Sequence, residues 1–462
     1  MENIAGFDFA PVEFNKEGRV HDEAQVRALL DALPGQYTDL LVLSHGWNND
    51  MGEARGLYQR FLSSARGLLD AGHGAGNGRR FVVMGIFWPS KKFADEDLIP
   101  GGGAASLGGP VDEGELVKRL EELKGFFDDP AADARLDEAK GLVPKLEDSG
   151  SARARFAELL ASLAPADPAE GEVDADPSSA LNALGADELL NQLGQPVLDN
   201  PPAGEGGTGG GGGSMEDAMA GMGGMGGGFA GEGVGGPGGM AAGLNIGGSL
   251  LNGARQLANL TTYYQMKKRA GIVGEQGLAP VLRAIRGRAP ALKLHLVGHS
   301  FGGRLLTAAA AGAEGSAPLP VQTLTLLQAA FSHNAFAQNY FQSGKDGFFR
   351  RVLTAGHVTG PVLVSHTRND KAVGLAYALA SRLAGQQANA IGDENDKYGG
   401  IGSNGALFTP EADKMTMLAS PQPYQLRPGR VHNLKADQYI SGHGDVGNPA
   451  TAYAVLCAVA TT

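Results

Sequence analysis

Leu294-His295-Leu296-Val297-Gly298-His299-Ser300-Phe301-Gly302-Gly303 decides how the rest of this chain is read. A short apolar run, Leu294 to Val297, stops at Gly298-His299-Ser300-Phe301-Gly302, and a helix-compatible stretch, Arg304 to Ala311, begins at once. This is the strand, sharp turn and helix order that presents a serine hydroxyl above a sheet edge. The turn forces Ser300 into a strained backbone conformation, so Gly298 and Gly302 stand where a side chain would collide with the neighbouring segment. The N-terminus of the following helix then offers unpaired N–H groups to a developing anion.

The pentapeptide alone decides little. Glycine supplies 72 of the 462 residues, so a G-x-S-x-G arises by chance about 0.5 times in such a chain. Context carries the weight: the match is single and lies between a strand and a helix, outside the Gly-rich tract. The bulk properties narrow the field further. A net charge of −12 and a pI near 5.3 argue against a nucleic-acid partner, which needs a basic face. The one cysteine, Cys457, cannot form an internal disulfide and reads as a small core residue of a protein in a reducing compartment. The start, Met1-Glu2-Asn3-Ile4, lacks the basic and apolar regions of a secretory signal, and no long apolar run suits a membrane span. A cytoplasmic location is the expectation.

Strands are expected at Phe7 to Phe14, Leu40 to Ser44, Phe81 to Phe87, Leu292 to Val297, Val321 to Gln328 and Pro361 to His366, with a weaker one at Arg430 to Leu434. The near-continuous apolar runs LLVLS, VVMGIF, LTLL and VLVS fit strands covered on both faces, as in a parallel sheet. Helical stripes lie between them: Val26, Leu29, Leu30 and Leu33, then Leu278, Val281, Leu282 and Ile285. The alternation predicts an α/β chain with a mostly parallel, doubly covered sheet.

An insertion interrupts it. Residues 1–93 and 249–462 are expected to form the two parts of one core, and 94–200 a helical cap. Asp112 and Glu115 stand at capping distance, and Leu116, Leu120, Leu123 and Phe127 recur with helical spacing. Leu136, Ala139, Val143 and Leu146 mark a second cap helix; Phe156, Leu159, Leu160 and Leu163 mark a third. Residues 201–248 form a Gly/Met-rich tract of low complexity, expected to be a disordered linker because it buries too little to offset its ordering entropy. Helical character returns around Leu250, Ala254, Leu257, Thr261 and Tyr264, and Lys267-Lys268-Arg269 reads as a solvated helix end.

A serine hydroxyl near neutral pH needs a base, and the base an orienting acid. Pro361 to His366 runs into Thr367-Arg368-Asn369-Asp370, which places Asp370 at the carboxyl end of a late strand; its competing role is the cap of a helix over Lys371 to Arg382. Asp393, Glu394 and Asp396 compete from a polar loop with no preceding strand. Two histidines follow. His432 lies within a strand, whereas His443, in Ser441-Gly442-His443-Gly444-Asp445, stands in a glycine-flanked loop that can carry an imidazole over the strand ends. Placement favours His443. A tetrahedral oxyanion needs two N–H donors, and Phe301 and Trp47 are the candidates; Gly46 permits the close backbone approach, and His45, Gly46 and His299 are expected to border the substrate. His443 with Asp445 lacks further ligands at a metal-binding spacing, so no metal or cofactor is implied.

LVLSHGWNND, HLVGHSFGGRL, VLVSHTRNDKAVG and ISGHGD together resemble the α/β-hydrolase superfamily in its lipase and serine-esterase branch, and in particular bacterial serine-esterase-like hydrolases of unassigned substrate. The resemblance implies Ser300 as nucleophile, His443 as general base and acid, Asp370 as orienting acid, and Phe301 and Trp47 as oxyanion donors. It implies hydrolysis of a small-molecule or lipid carboxylic ester through an acyl-enzyme. An amidase, thioesterase or phospholipase would use the same groups, and a non-catalytic binding protein could retain the fold.

Overall fold

The computed structural model describes residues 1–47, 49–75, 78–90, 112–165, 181, 184–194, 246–370, 372–373 and 398–462. The protein is an α/β protein built on one nine-stranded sheet, in the order β1-β2-β4-β3-β5-β6-β7-β9-β8. The strands are β1 (Glu2–Ile4), β2 (Phe7–Glu13), β3 (Asp39–Ser44), β4 (Phe81–Phe87), β5 (Lys293–His299), β6 (Thr323–Leu327), β7 (Val362–His366), β8 (Ala412–Thr416) and β9 (Val431–Lys435). Only β1 runs antiparallel to its neighbour. The seven strands expected from apolar runs all form, with ends shifted by at most two residues.

β1 and β8 are additions to the expected sheet. Both are edge strands paired on one side only, and Ala412–Thr416, ADKMT, carries half-exposed polar residues rather than an apolar run. An edge strand needs no buried face on both sides, so its composition carries little signal.

Helices α1 (Glu23–Ala32), α2 (Met51–Asp70), α3 (Glu113–Glu122), α4 (Ala132–Leu142), α5 (Gly150–Ala161), α6 (Ala186–Gly194), α7 (Ile246–Ile272), α8 (Ala279–Arg288), α9 (Phe301–Ala311), α10 (Arg350–Thr354), α11 (Ile401–Asn404) and α12 (Pro449–Ala460) complete the described elements. Period-two alternation splits the strand side chains between two cores. Leu40 and Val42 of β3 and Leu294 and Leu296 of β5 pack with α1, α8 and α9; Leu41, Leu43 and Val297 pack with α2 and α12 on the other face.

All three predicted stripes of the insertion are buried, and Asp112 caps α3 by accepting the Glu115 N–H at 2.7 Å. These helices share the core of one sheet face through α7, so the insertion is an extension of that core. Apart from its last three residues, which open α7, the Gly/Met tract at 201–248 lies outside the described residues.

The solvated helix end expected at Lys267-Lys268-Arg269 is corrected. α7 continues past it through a π-helical turn, Val273–Leu278, into α8. Lys268 is exposed, but Lys267 and Arg269 are 3% and 5% exposed. Arg269 donates to the carbonyls of Pro89 and Phe126 and pairs with Asp128 at 3.3 Å. No helix among the described residues is long and apolar enough to cross a membrane.

The chain moves outward from β3 to β4 and returns after the insertion to lay β5 on the opposite side of β3. That reversal leaves a crevice at the carboxyl ends of β3 and β5, the position where open α/β sheets place their ligands. At the other end, a buried network pins the same two strands. Asp39 accepts from His295 Nε2 at 3.0 Å and from Arg79 at 2.5 Å, while the Thr323 hydroxyl meets His295 Nδ1 at 2.9 Å.

Candidate active site

β5 ends at His299, and Ser300 follows at φ 55°, ψ −127°, immediately before α9. Two glycines make that turn possible. A β-carbon on Gly298 would lie 2.6 Å from the Gly302 backbone, and one on Gly302 would lie 2.3 Å from the Ser44 carbonyl. The strained serine is therefore locked between β3 and α9 by close backbone packing.

Three side chains from distant parts of the chain meet there. Ser300 Oγ lies 2.8 Å from His443 Nε2, and His443 Nδ1 lies 2.9 Å from Asp370 Oδ2. Asp370 accepts at Nδ1, so that nitrogen carries the proton and Nε2 faces the serine hydroxyl as an acceptor. Burial pulls the His443 pKa down, but the Asp370 carboxylate outweighs it and holds the pKa above the ordinary value. Such a chain can move the serine proton to the imidazole while the carboxylate fixes its tautomer. Asp370 also accepts the Val373 N–H on Oδ1 at 3.0 Å, which is cap geometry. Its two expected roles coexist because they use different oxygens. The competitors Asp393, Glu394 and Asp396 lie outside the described residues, as does most of the helix expected after Asp370. His432 stays in β9, buried, and its Nε2 accepts the Arg427 N–H at 3.0 Å.

Gly46 lies against the serine, its backbone so near that an added β-carbon would stand 3.2 Å from Ser300 Oγ. Trp47 follows, with its ring 5.9 Å from that of Phe301 and 6.1 Å from that of Tyr263 on α7. The backbone N–H groups of Trp47 and Phe301 are engaged by no other group among the described residues. Phe301, as the first residue of α9, has no intrahelical acceptor for its N–H.

Two residues expected to border substrate do something else. The His45 ring is buried beneath its loop, stacked on Trp88 at 5.7 Å, with Nδ1 on the Gly46 carbonyl at 2.8 Å. Burial lowers its pKa to about 4, so it is a neutral anchor of the loop. His299 Nε2 donates to the His443 carbonyl at 2.7 Å, and the two rings lie 4.7 Å apart. Burial, then the facing His443, lowers its pKa to about 3. It holds the His443 loop and stays uncharged beside it.

Three contributors have little signal in the sequence. Tyr263 reaches the site only because α7 crosses the head of α9, its ring 5.0 Å from that of Phe301. Asn369 donates to the Ile440 carbonyl at 2.8 Å and the Asp437 carbonyl at 3.0 Å, tying the Asp370 loop to the loop that carries His443. Gln328, after β6, donates to Asp370 Oδ2 at 3.1 Å. Asn369 alone had a hint, since an amide beside the acid in a strand-end loop is a ready backbone tether. Among the described residues no cluster of His, Cys, Asp and Glu could hold a metal.

No protein-family model, curated protein or solved structure matches this chain.

Proposed function

We propose that this protein is a serine hydrolase of the α/β-hydrolase class, akin to lipases and serine esterases, that cleaves carboxylic esters through an acyl-enzyme on Ser300. The observation that carries the reading is the continuous relay from Ser300 Oγ through His443 to Asp370, at 2.8 and 2.9 Å, on a serine held at positive φ. Ser300 Oγ bonds to the ester carbonyl carbon as His443 Nε2 takes its proton, and the carbonyl oxygen becomes an anion held by the N–H groups of Phe301 and Trp47. Collapse breaks the bond to the alcohol, which leaves with the proton from His443. Water then adds to the acyl carbon by the same route, releasing the acid and restoring Ser300. Asp370 keeps its charge throughout and stabilises the imidazolium. Trp47 and Tyr263, packed around the Phe301 ring, supply an aromatic wall for a small-molecule or lipid ester.

The test is labelling with a fluorophosphonate probe together with turnover of short p-nitrophenyl esters. Both are expected in the wild-type protein and absent in Ser300→Ala. Unchanged ester turnover in purified Ser300→Ala overturns the assignment.

A further inference from the structure

Two neighbouring strands end in the same unusual way. His299 of β5 and Leu327 of β6 are register partners, and the next residue of each, Ser300 and Gln328, has a positive φ of 55° and 46°. For a residue other than glycine this conformation is strained and persists only where the surroundings impose it. The turn into α9 accounts for Ser300. Nothing in the sequence around Gln328 calls for it.

The surroundings of Gln328 supply the reason. The residue is fully buried, and its polar atoms are all engaged. Nε2 donates to Asp370 Oδ2 at 3.1 Å and to the Gly402 carbonyl at 3.0 Å. Oε1 accepts from the Ser365 hydroxyl at 2.8 Å, and the same hydroxyl oxygen accepts the Gln328 N–H at 3.0 Å. Ser365 is the register partner of Leu327, so the glutamine is clamped between β6 and β7. Asp370 Oδ2 is also the oxygen that meets His443.

We infer that Gln328 is a positioning residue that fixes the rotation of the Asp370 carboxylate toward His443. The inference rests on the hydrolase reading above. A carboxylate turns readily about its terminal bond; here Val373 holds Oδ1 and Gln328 holds Oδ2, and one remaining direction on Oδ2 is left for the imidazole. A neutral amide does this without neutralising the acid, whereas an arginine there would compete with the imidazolium for its charge. The positive φ at Gln328 is the local strain that aims the amide at Oδ2. Among the described residues, His299 on β5 faces the pair, with His45 behind it. Burial keeps both neutral, with pKa values of about 3 and 4.

Gln328→Gly and Gln328→Glu test the inference in the full-length protein. Gln328→Gly relieves the left-handed strain while removing the amide, and thermal unfolding of the same sample checks that the fold is kept. Its kcat should fall about 100-fold, as expected for a misplaced acid–base relay, with KM within about twofold. The downfield proton resonance of His443 Nδ1–H should also move. Gln328→Glu replaces the donor by a like charge, which lowers kcat and raises the pH of the acidic limb of kcat/KM. A Gln328→Gly protein with kcat within about threefold of wild type and an unmoved Nδ1–H resonance overturns the positioning role. Failure of the wild-type protein to label with a fluorophosphonate overturns the hydrolase reading instead.

Discussion

The backbone of Gly46 lies so close to Ser300 that a β-carbon on the glycine would stand 2.6 Å from the serine's own β-carbon. The contact brings the loop after β3, which carries Trp47, over the end of β5. Gly46→Ala must therefore push the loop outward. We expect kcat/KM to fall about 100-fold or more, the cost of losing one oxyanion donor, with a stability loss of about 1–3 kcal/mol from overpacking. Ester kinetics and thermal unfolding on the same sample check both.

The two late histidines should separate cleanly. His443→Ala removes the base and should lower kcat about 10⁴-fold, with the fold retained. His432→Ala should leave kcat close to wild type and lower Tm, because His432 is a buried sheet residue bonded to the Arg427 N–H. Comparable kcat losses in both variants would contradict this assignment.

The pH profile follows from His443. Burial lowers its pKa, and the Asp370 carboxylate raises it more, so it is held above the ordinary imidazole value. A histidine base works only when neutral, so the proposed activity should be present above that raised pKa and be lost as pH falls through it. The acidic limb of kcat/KM should therefore lie above that of an ordinary imidazole, and a limb at lower pH would contradict the pairing with Asp370.

Asp370→Asn should divide catalysis from capping. An asparagine can still accept the Val373 N–H, so the cap is kept, and the stability loss should be limited to about 1–3 kcal/mol from setting its amide against the Gln328 donor. Its amide would then face His443 Nδ1, which favours the tautomer protonated at Nε2 and removes the acceptor from Ser300. We expect kcat to fall about 10⁴-fold with little change in KM. Steady-state kinetics beside a denaturant titration makes the measurement.

The buried network at the far end of the sheet should bear on stability rather than on kcat. Asp39 is fully buried between His295 and Arg79. Burial raises its pKa, but its bonds to His295, Thr38 and Arg79 prevail and hold it below the ordinary value. Its stabilisation is present above the unfolded-state pKa and is lost as pH falls through the lower folded-state value. Asp39→Ala should cost about 3–5 kcal/mol at neutral pH and flatten the acid side of the stability curve, with kcat unchanged. Urea titrations from pH 3 to neutrality would show it.

The strands that surround the site were legible because strand identity here is local. Continuous apolar runs such as Leu40–Ser44 and Phe81–Phe87 follow from burial on both faces, and the glycines flanking Ser300 follow from a turn too tight for side chains. The order of Ser300, Asp370 and His443 along the chain was legible too, as strand-end and loop positions. Local patterning thus shows which residues can do chemistry and at which strand ends they stand. Packing sets which way they face. His45 and His299 belong to the motifs that mark the site, yet one turns under its loop and the other grips the His443 carbonyl. Arg269 is buried because Pro89, Phe126 and Asp128, all distant in sequence, enclose it. Gln328 carries no motif at all; its role exists only because β6 and β7 pair in a register that sets Ser365 beside it and Asp370 above it. Apolar periodicity is written residue by residue, but the direction of a polar side chain is set by partners that the fold alone brings within 3 Å.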